Sequence, residues 1–269
     1  MEHFTLVRPG ARVNLSAIDP DFHEDLPKRA PEVKQRTNAA RERMRDLQER
    51  LYAEGKQSLL IVLQALDTGG KDGTIAHVMR GMNPAGCRVA SFKAPTPEEL
   101  AHDFLWRIHR QTPRRGEIVV FNRSHYEDVL VVRVHGLVPE EVWRRRYQQI
   151  NEFERLLSAS DTRILKFFLY ISKDEQKARL QARLDDPEKH WKFRPADLAE
   201  RRRWDEYIAA YEDALSECST PIAPWFVIPA NRKWYRNMIV AEIVAETLAE
   251  MNPQFPALDF DPATIVIDG

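Results

Sequence analysis

Five short segments of almost unbroken apolar character, separated by stretches with helical periodicity, constrain this chain more than any other feature. They are residues 58–66, 88–92, 117–121, 163–171 and 225–228. Strands that read as solid apolar runs are buried on both faces, and strands spaced by helices pair in parallel. The helical patterns between and after them span 74–82, 97–111, 139–157, 173–184, 198–215 and 234–251. The expectation is an α/β fold of three layers around a five-stranded parallel sheet.

The flanks are of a different kind. Residues 1–30 carry Pro9, Pro20 and Pro27 and read as an irregular arm lying over the domain. Residues 32–54 are highly charged and free of Gly and Pro. Val33, Ala39, Met44, Leu47 and Leu51 predict a helix there with a narrow buried stripe. In 142–157, Val142, Tyr147, Ile150, Phe153 and Leu157 predict a core stripe, and Arg144-Arg145-Arg146 a solvated face. Met238, Ile239, Ile243 and Leu248 give the last helix the same character. The Asn-Pro-Gln-Phe-Pro run from Asn252 cannot continue that helix. The expected division is an arm (1–30), one domain (31–251) and a tail (252–269) held by Phe255 and Phe260.

Charge and composition narrow the function. Lys and Arg number 40 and Asp and Glu 41, a net charge of −1, so a generic nucleic-acid coat is not expected, although a local basic channel is compatible. The longest apolar run, 58–66, falls far short of the ~20 residues that span a bilayer, so no membrane partner is expected. The first residues, Met1-Glu2-His3-Phe4-Thr5, lack the basic start and apolar core of a secretory signal. Two cysteines make neither a disulfide framework nor a metal cluster. The expected compartment is the cytoplasm.

The most informative stretch is Leu66-Asp67-Thr68-Gly69-Gly70-Lys71-Asp72-Gly73-Thr74, which leaves a predicted strand and enters a predicted helix. Glycines there let backbone N–H groups turn inward, the helix start adds partial positive charge, and Lys71 adds a full one. Against the phosphate-loop pattern G-x-x-x-x-G-K-[ST], Gly70-Lys71 match, Ala65 stands at the first Gly, and Asp72 at the Ser/Thr. Asp67 and Asp72 place carboxylates beside a phosphate cradle, where they repel phosphate unless a cation lies between. Mg²⁺, held by one or two carboxylates and phosphate oxygens, resolves this. Asp67 is the expected metal residue; Asp72 either assists or caps the helix.

The third strand ends in Phe121-Asn122-Arg123-Ser124-His125-Tyr126-Glu127-Asp128. Ligands of open α/β sheets sit beyond the carboxyl ends of strands. Arg123 is placed to neutralise a transferring phosphoryl group, and Glu127 or Asp128 to hold Mg²⁺ or orient an acceptor. His125 is expected at the surface or behind the reacting groups rather than as a base. Between 177 and 203 lie nine Lys or Arg against five acids, with Pro187 and Pro195 as breaks. Arg183, Lys189, Lys192 and Arg194, with Trp191 and Phe193 among them, predict a mobile basic lid over about 184–204 that excludes water.

Together these residues resemble the polyphosphate kinase 2 family. The resemblance is carried by the Asp67-x-x-Gly-Lys-Asp-Gly73 loop, the Phe-Lys-x-Pro-Thr run at 92–96, and Asp103-Phe-Leu-Trp-Arg107. It extends to Phe121-Asn-Arg-Ser124, Trp191-Lys192, and Trp225 with Asn231-x-Lys-Trp-Tyr235, and it covers roughly 30–251. Tyr126-Glu127-Asp128 resembles the class III subgroup, whose members phosphorylate AMP and ADP. The resemblance implies a P-loop kinase fold, thymidylate-kinase-like with a helical lid, and Mg²⁺-dependent (alternatively Mn²⁺-dependent) transfer from polyphosphate to AMP or ADP, giving ADP and ATP. A homo-oligomer is expected.

Residue by residue, it implies that Asp67 binds metal and orients the acceptor. Lys71 and the Thr68–Gly69–Gly70–Asp72–Gly73–Thr74 loop hold phosphate, and Arg123 stabilises the transition state. Glu127 and Asp128 support metal or acceptor. Lys93, Asp103, Arg107 and Asn122 serve the nucleotide, and Arg183, Lys189, Lys192 and Arg194 the donor chain. Phe104 and Trp106 are expected in the core. The competing readings are an ATP-dependent nucleoside monophosphate kinase and a non-catalytic polyphosphate-binding module.

Overall fold

The computed structural model describes residues 4–267. Its centre is strand β2 (Ser58–Gln64), buried along its whole length. β2 pairs in parallel with β4 (Ile118–Asn122) on one side and β5 (Thr162–Tyr170) on the other. β3 (Cys87–Ser91) lies beyond β4, and β6 (Trp225–Pro229) beyond β5, both parallel. Runs such as Leu-Leu-Ile-Val-Leu form these strands because both faces are covered.

The sheet has six strands rather than five. The addition is β1 (Thr5–Leu6), antiparallel to β6, with Thr5 opposite Val227 and Leu6 opposite Phe226. Two paired residues in a proline-rich arm carry no readable periodicity. Their pairing covers the β6 edge, which would otherwise present unpaired backbone groups. The arm is stitched down further along: Asn231 N–H donates to the Pro20 carbonyl at 3.0 Å, and Leu15 N–H to Glu212 at 2.8 Å.

Helices α1 (Pro31–Glu54), α2 (Lys71–Val78) and α10 (Lys233–Met251) pack together. α1 starts with proline in its first turn and stops at Gly55 in the left-handed region. Its buried stripe is Val33, Thr37, Ala40, Met44, Gln48 and Leu51. Ala39 is exposed, because the 3.6-residue period from Val33 lands on Thr37 and Ala40. Two ion pairs tie α1 to α10, Arg36–Glu242 at 2.7 Å and Arg43–Glu246 at 2.8 Å.

A second group of helices contains α5 (Val131–Val134), α6 (Glu140–Ser158) and α9 (Trp204–Glu217). On α6 Trp143, not Val142, enters the core, together with Glu154. α7 (Lys173–Leu184) matches its expected span.

Two expected helices are broken. Residues 97–111 form two single turns, α3 (Pro97–Leu100) and α4 (Trp106–His109). Between them Asp103 accepts from Leu105 N–H at 2.9 Å, a local bond that competes with helix. Phe104 and Trp106 are half-buried rather than core. Residues 198–215 divide into α8 (Ala196–Arg202) and α9 at Arg203, whose guanidinium donates to the Val134 carbonyl at 2.6 Å. In the tail Phe255 and Phe260 stay more than half exposed, and the Arg50 guanidinium lies 5.8 Å from the Phe255 ring centre. Among the described residues no helix is long and apolar enough to cross a membrane.

Candidate active site

Two loops leaving adjacent strands meet beyond the carboxyl ends of β2 and β4. The first runs from Ala65 into α2. Gly70 has φ 96°, and a Cβ there would collide with Arg236 Nη1. A Cβ on Gly69 would collide with that of Ala65. Ala65 is therefore accommodated where the phosphate-loop pattern has glycine, because position 69 has no side chain. Thr68 is left-handed at φ 63°, a strained value for a β-branched residue, and its buried Oγ1 has no hydrogen-bond partner.

Three successive carbonyls of this loop are held from outside. Gln176 Nε2 donates to Asp67 O at 3.1 Å, Arg179 Nη1 to Thr68 O at 2.9 Å, and Arg236 Nη1 to Gly69 O at 3.2 Å. In a trans peptide the N–H points opposite to its carbonyl. Anchoring these carbonyls thus turns the N–H groups of Thr68 and Gly70 inward; that of Gly69 is taken by Leu66 O. The N–H groups opening α2 have no intrahelical acceptor and complete an anion cradle.

Lys71 opens α2, and its ammonium donates to the Ala65 carbonyl at 2.9 Å. Burial lowers its pKa, with nearby Arg123 adding to the effect, while Asp67, Glu127 and Asp72 oppose it. Asp72 does not cap the helix; it accepts from Asn122 Nδ2 at 2.6 Å, which joins the first loop to the end of β4.

The second loop turns at Arg123, also left-handed at φ 63°. Arg123 Nη2 lies 3.3 Å from Asp67 and Nη1 3.5 Å from Glu127. Glu127 above all, and Asp67, raise the guanidinium pKa. Asp67, Lys71, Asp72, Asn122, Arg123 and Glu127 thus form one cluster.

Asp128 belongs to a neighbouring cluster. Arg146 Nη1 is 3.0 Å from its carboxylate, and burial pushes the carboxyl up to about 6 against the pull of Arg146 and Arg107. Arg146 is thus not on a solvated face; its guanidinium also lies 4.7 Å from the Phe104 ring centre. Arg107 is buried, donating to the Lys93 carbonyl at 2.8 Å, while the Lys93 side chain is exposed. Asp103 is exposed and lines an open depression with Leu105, Trp106, His109 and Arg110; none of Asp67, Lys71 or Arg123 lines it.

His125 is fully buried, not at the surface. It joins a network beneath the second loop. Glu154 receives His125 Nε2 at 3.2 Å, the Tyr126 hydroxyl at 2.8 Å and Lys166 Nζ at 2.6 Å. Lys166 also donates to the Cys218 carbonyl. This network underpins the 3₁₀ turn His125–Asp128, which Ser124 caps by accepting from Tyr126 N–H.

The basic segment holds a 3₁₀ turn, Pro187–Lys192, followed by α8. Two of its expected cations are occupied: Arg183 lies 3.6 Å from Asp197, and Lys189 pairs with Asp186. Lys192 Nζ sits 4.9 Å from the ring centre of Trp191, which is 77% exposed. The Arg194 side chain has no hydrogen bond or ion pair among the described residues.

Arg146, Gln176, Arg179 and Arg236 escaped the sequence reading. Each looks like a surface charge on an amphipathic helix; in Arg146 only membership of a triple-arginine run marked it. No group of three or more His, Cys, Asp or Glu among the described residues forms a metal cage. Two carboxylates converging on one arginine beside inward-facing N–H groups suit instead a hard divalent ion that would take its remaining ligands from a bound anion and water.

Residues 28–256 match the family described as Polyphosphate kinase 2. The AMP/ADP-polyphosphate phosphotransferase of Meiothermus ruber is 55% identical over 262 residues, 97% of this chain and 98% of that one. The ADP-polyphosphate phosphotransferase of Rhodopseudomonas palustris is 49% identical over 227 residues, 80% of this chain and 78% of that one. The crystal structure of a polyphosphate kinase 2 from Arthrobacter aurescens superposes with a TM-score of 0.91 at 47% identity, covering 96% of this chain and 92% of that one.

Proposed function

This chain belongs to the polyphosphate kinase 2 family, and from that premise we propose that it transfers a phosphoryl group from inorganic polyphosphate to AMP and ADP, giving ADP and ATP. The observation that carries this reading is the convergence of Arg123 on Asp67 and Glu127 beside a glycine loop whose carbonyls are anchored outward.

An oxygen of the acceptor's terminal phosphate attacks the terminal phosphorus of the chain. A new anhydride P–O bond forms, and the bond to the penultimate phosphate breaks, releasing a chain shorter by one unit. The attacking oxygen is already anionic, so no general base is needed. Catalysis rests on positioning and charge stabilisation. Lys71 and the free amides of Thr68 and of 70–73 hold the donor phosphate, with the Thr68 and Thr74 side chains shaping the loop. Arg123 counters charge on the moving group, and Asp72 and Asn122 fix the two loops against each other. Asp128, Arg107 and Lys93 face the acceptor, with Asp103 at its margin. Arg183, Lys189, Lys192 and Arg194 follow the donor chain outward.

The divalent ion of this reading is Mg²⁺, with Mn²⁺ as the alternative. Asp67 would hold it with Glu127 or Asp128, and it would supply positive charge to offset that of the phosphate oxygens. Self-association of the chain and residence in the cytoplasm complete the reading; only two cysteines support the latter.

The test supplies AMP and Mg²⁺ with either long-chain polyphosphate or ATP as the only donor. ADP and ATP should form from polyphosphate. Product with ATP alone would replace this reading with an ATP-dependent nucleoside monophosphate kinase.

A further inference from the structure

Arg236, on the first turn of α10, is 2% exposed and has no carboxylate within 4.0 Å among the described residues. Its guanidinium is pressed against the phosphate loop. Nη1 donates to Gly69 O at 3.2 Å, a Cβ on Gly70 would collide with Nη1, and one on Gly73 would lie 3.7 Å from Nη2. Nε and Nη2 both donate to Asn237 Oδ1, at 3.0 and 2.8 Å. Three of its five N–H donors are therefore used, all on neutral acceptors, and two are idle.

The surrounding charges do not compensate it. Arg179 is close enough to repel it, and burial and Arg179 together push its pKa down. Arg179's own carboxylate, Glu175, is already engaged at 2.7 Å. Lys233, one helical turn away in sequence, has its pKa lowered by burial first and then by Arg179, Arg236 and Lys189, with Glu175 opposing. The acids of the site, Asp67 and Glu127, are held by Arg123.

A buried, unpaired cation is costly, and removing its charge would ordinarily stabilise a fold. Placed against a loop that cradles anions, it gains a counter-charge when the loop is filled. We propose that Arg236 is a buried component of the donor-phosphate subsite, whose guanidinium is balanced by the polyphosphate bound in the 69–73 loop. Arg236 acts as a positioning and field residue through that loop, and Lys233 extends the same cationic wall to the surface. The inference rests on the polyphosphate reading above. It predicts a division of labour at the phosphate loop, with donor on the Arg236–Lys233 side and acceptor on the side of β4 that carries Arg123 and Glu127.

The test measures binding of linear tripolyphosphate to the full chain by calorimetry, without nucleotide, together with the unfolding midpoint without ligand. Arg236→Gln should leave the ligand-free midpoint equal to or above wild type and weaken tripolyphosphate at least tenfold. Arg236→Lys should recover most of that affinity. In turnover, Arg236→Gln should raise KM for polyphosphate at least tenfold and leave KM for AMP within twofold. A lower ligand-free midpoint with tripolyphosphate affinity within twofold of wild type would make Arg236 a structural residue and overturn the inference. Wild-type transfer from polyphosphate with unaltered binding by Arg236→Gln would sink this inference alone. Wild type that neither binds tripolyphosphate nor uses polyphosphate would sink both it and the functional reading.

Discussion

Arg123 reaches across the ends of two neighbouring parallel strands to Asp67, Nη2 to Oδ1, at 3.3 Å. Its second terminal nitrogen lies 3.5 Å from Glu127, so one planar fork addresses two carboxylates. The backbone at Arg123 accepts a left-handed conformation to make this possible. Lysine cannot reproduce the fork. Arg123→Lys should lower kcat by roughly 10²-fold, the order seen when a charge-stabilising donor is removed, while KM for AMP stays near wild type. Steady-state kinetics measures both; unchanged kcat would remove Arg123 from the reacting centre.

Asp67→Asn separates an enzyme from a binder. Losing a carboxylate relieves repulsion of phosphate, so tripolyphosphate should bind as well as or better than to wild type, while turnover falls by at least about 10². Calorimetry and the AMP assay together decide. Retained turnover would show that Asp67 carries no chemistry.

Lys192 and Arg194 lie in an exposed segment, and neither is paired with an acid within 4.0 Å among the described residues. Replacing both with alanine should raise KM for long-chain polyphosphate several-fold, with an unaltered kcat and AMP KM. The effect should shrink as ionic strength rises, because exposed charge is screened beyond about 8–10 Å. An equal change for donor and acceptor would contradict a donor track here.

The Lys166–Glu154 pair is fully buried at 2.6 Å. Lys166→Met leaves Glu154 charged without its cation and should cost about 3–5 kcal/mol in urea unfolding. Adding Glu154→Leu should restore much of that loss; a double variant no more stable than the single one would contradict it.

His125 gives the same network a pH dependence. Burial, the largest influence, lowers its pKa below the ordinary 6.5, although the bond to Glu154 opposes it. Just below pH 6.5 the unfolded chain then binds more protons than the native one. This contribution is fully present above pH 6.5 and is lost as pH falls through the folded value. The unfolding midpoint should fall from pH 6.5 to 5 less steeply in His125→Gln than in wild type. Parallel slopes would contradict the assignment.

Much of this was legible in the sequence because it follows from periodicity and punctuation. The five parallel strands announce themselves as apolar runs, and the glycines at 69, 70 and 73 mark the loop between a strand and a helix. Asp67 and Lys71, and then Asn122, Arg123 and Glu127, stand out as polar groups where apolar strands end. The remainder depends on contacts between distant segments. Nothing in 1–30 signals that Thr5 and Leu6 pair with β6. The break at Asp103 is a side-chain bond that outcompetes helix propensity. Arg146, Arg179 and Arg236 read as solvated charges because burial of a guanidinium is decided by which carbonyl, carboxylate or ring comes to meet it.

In the proposed reaction the 69–73 loop passes a phosphoryl unit from polyphosphate to a nucleotide. The most direct measurement follows label from uniformly ³²P-labelled polyphosphate incubated with unlabelled ADP, Mg²⁺ and the full chain. Label should appear in the γ-phosphate of ATP, in step with shortening of the polymer, and should be abolished by Lys71→Ala. Label confined to polyphosphate and inorganic phosphate, with ATP unlabelled, would contradict this reaction.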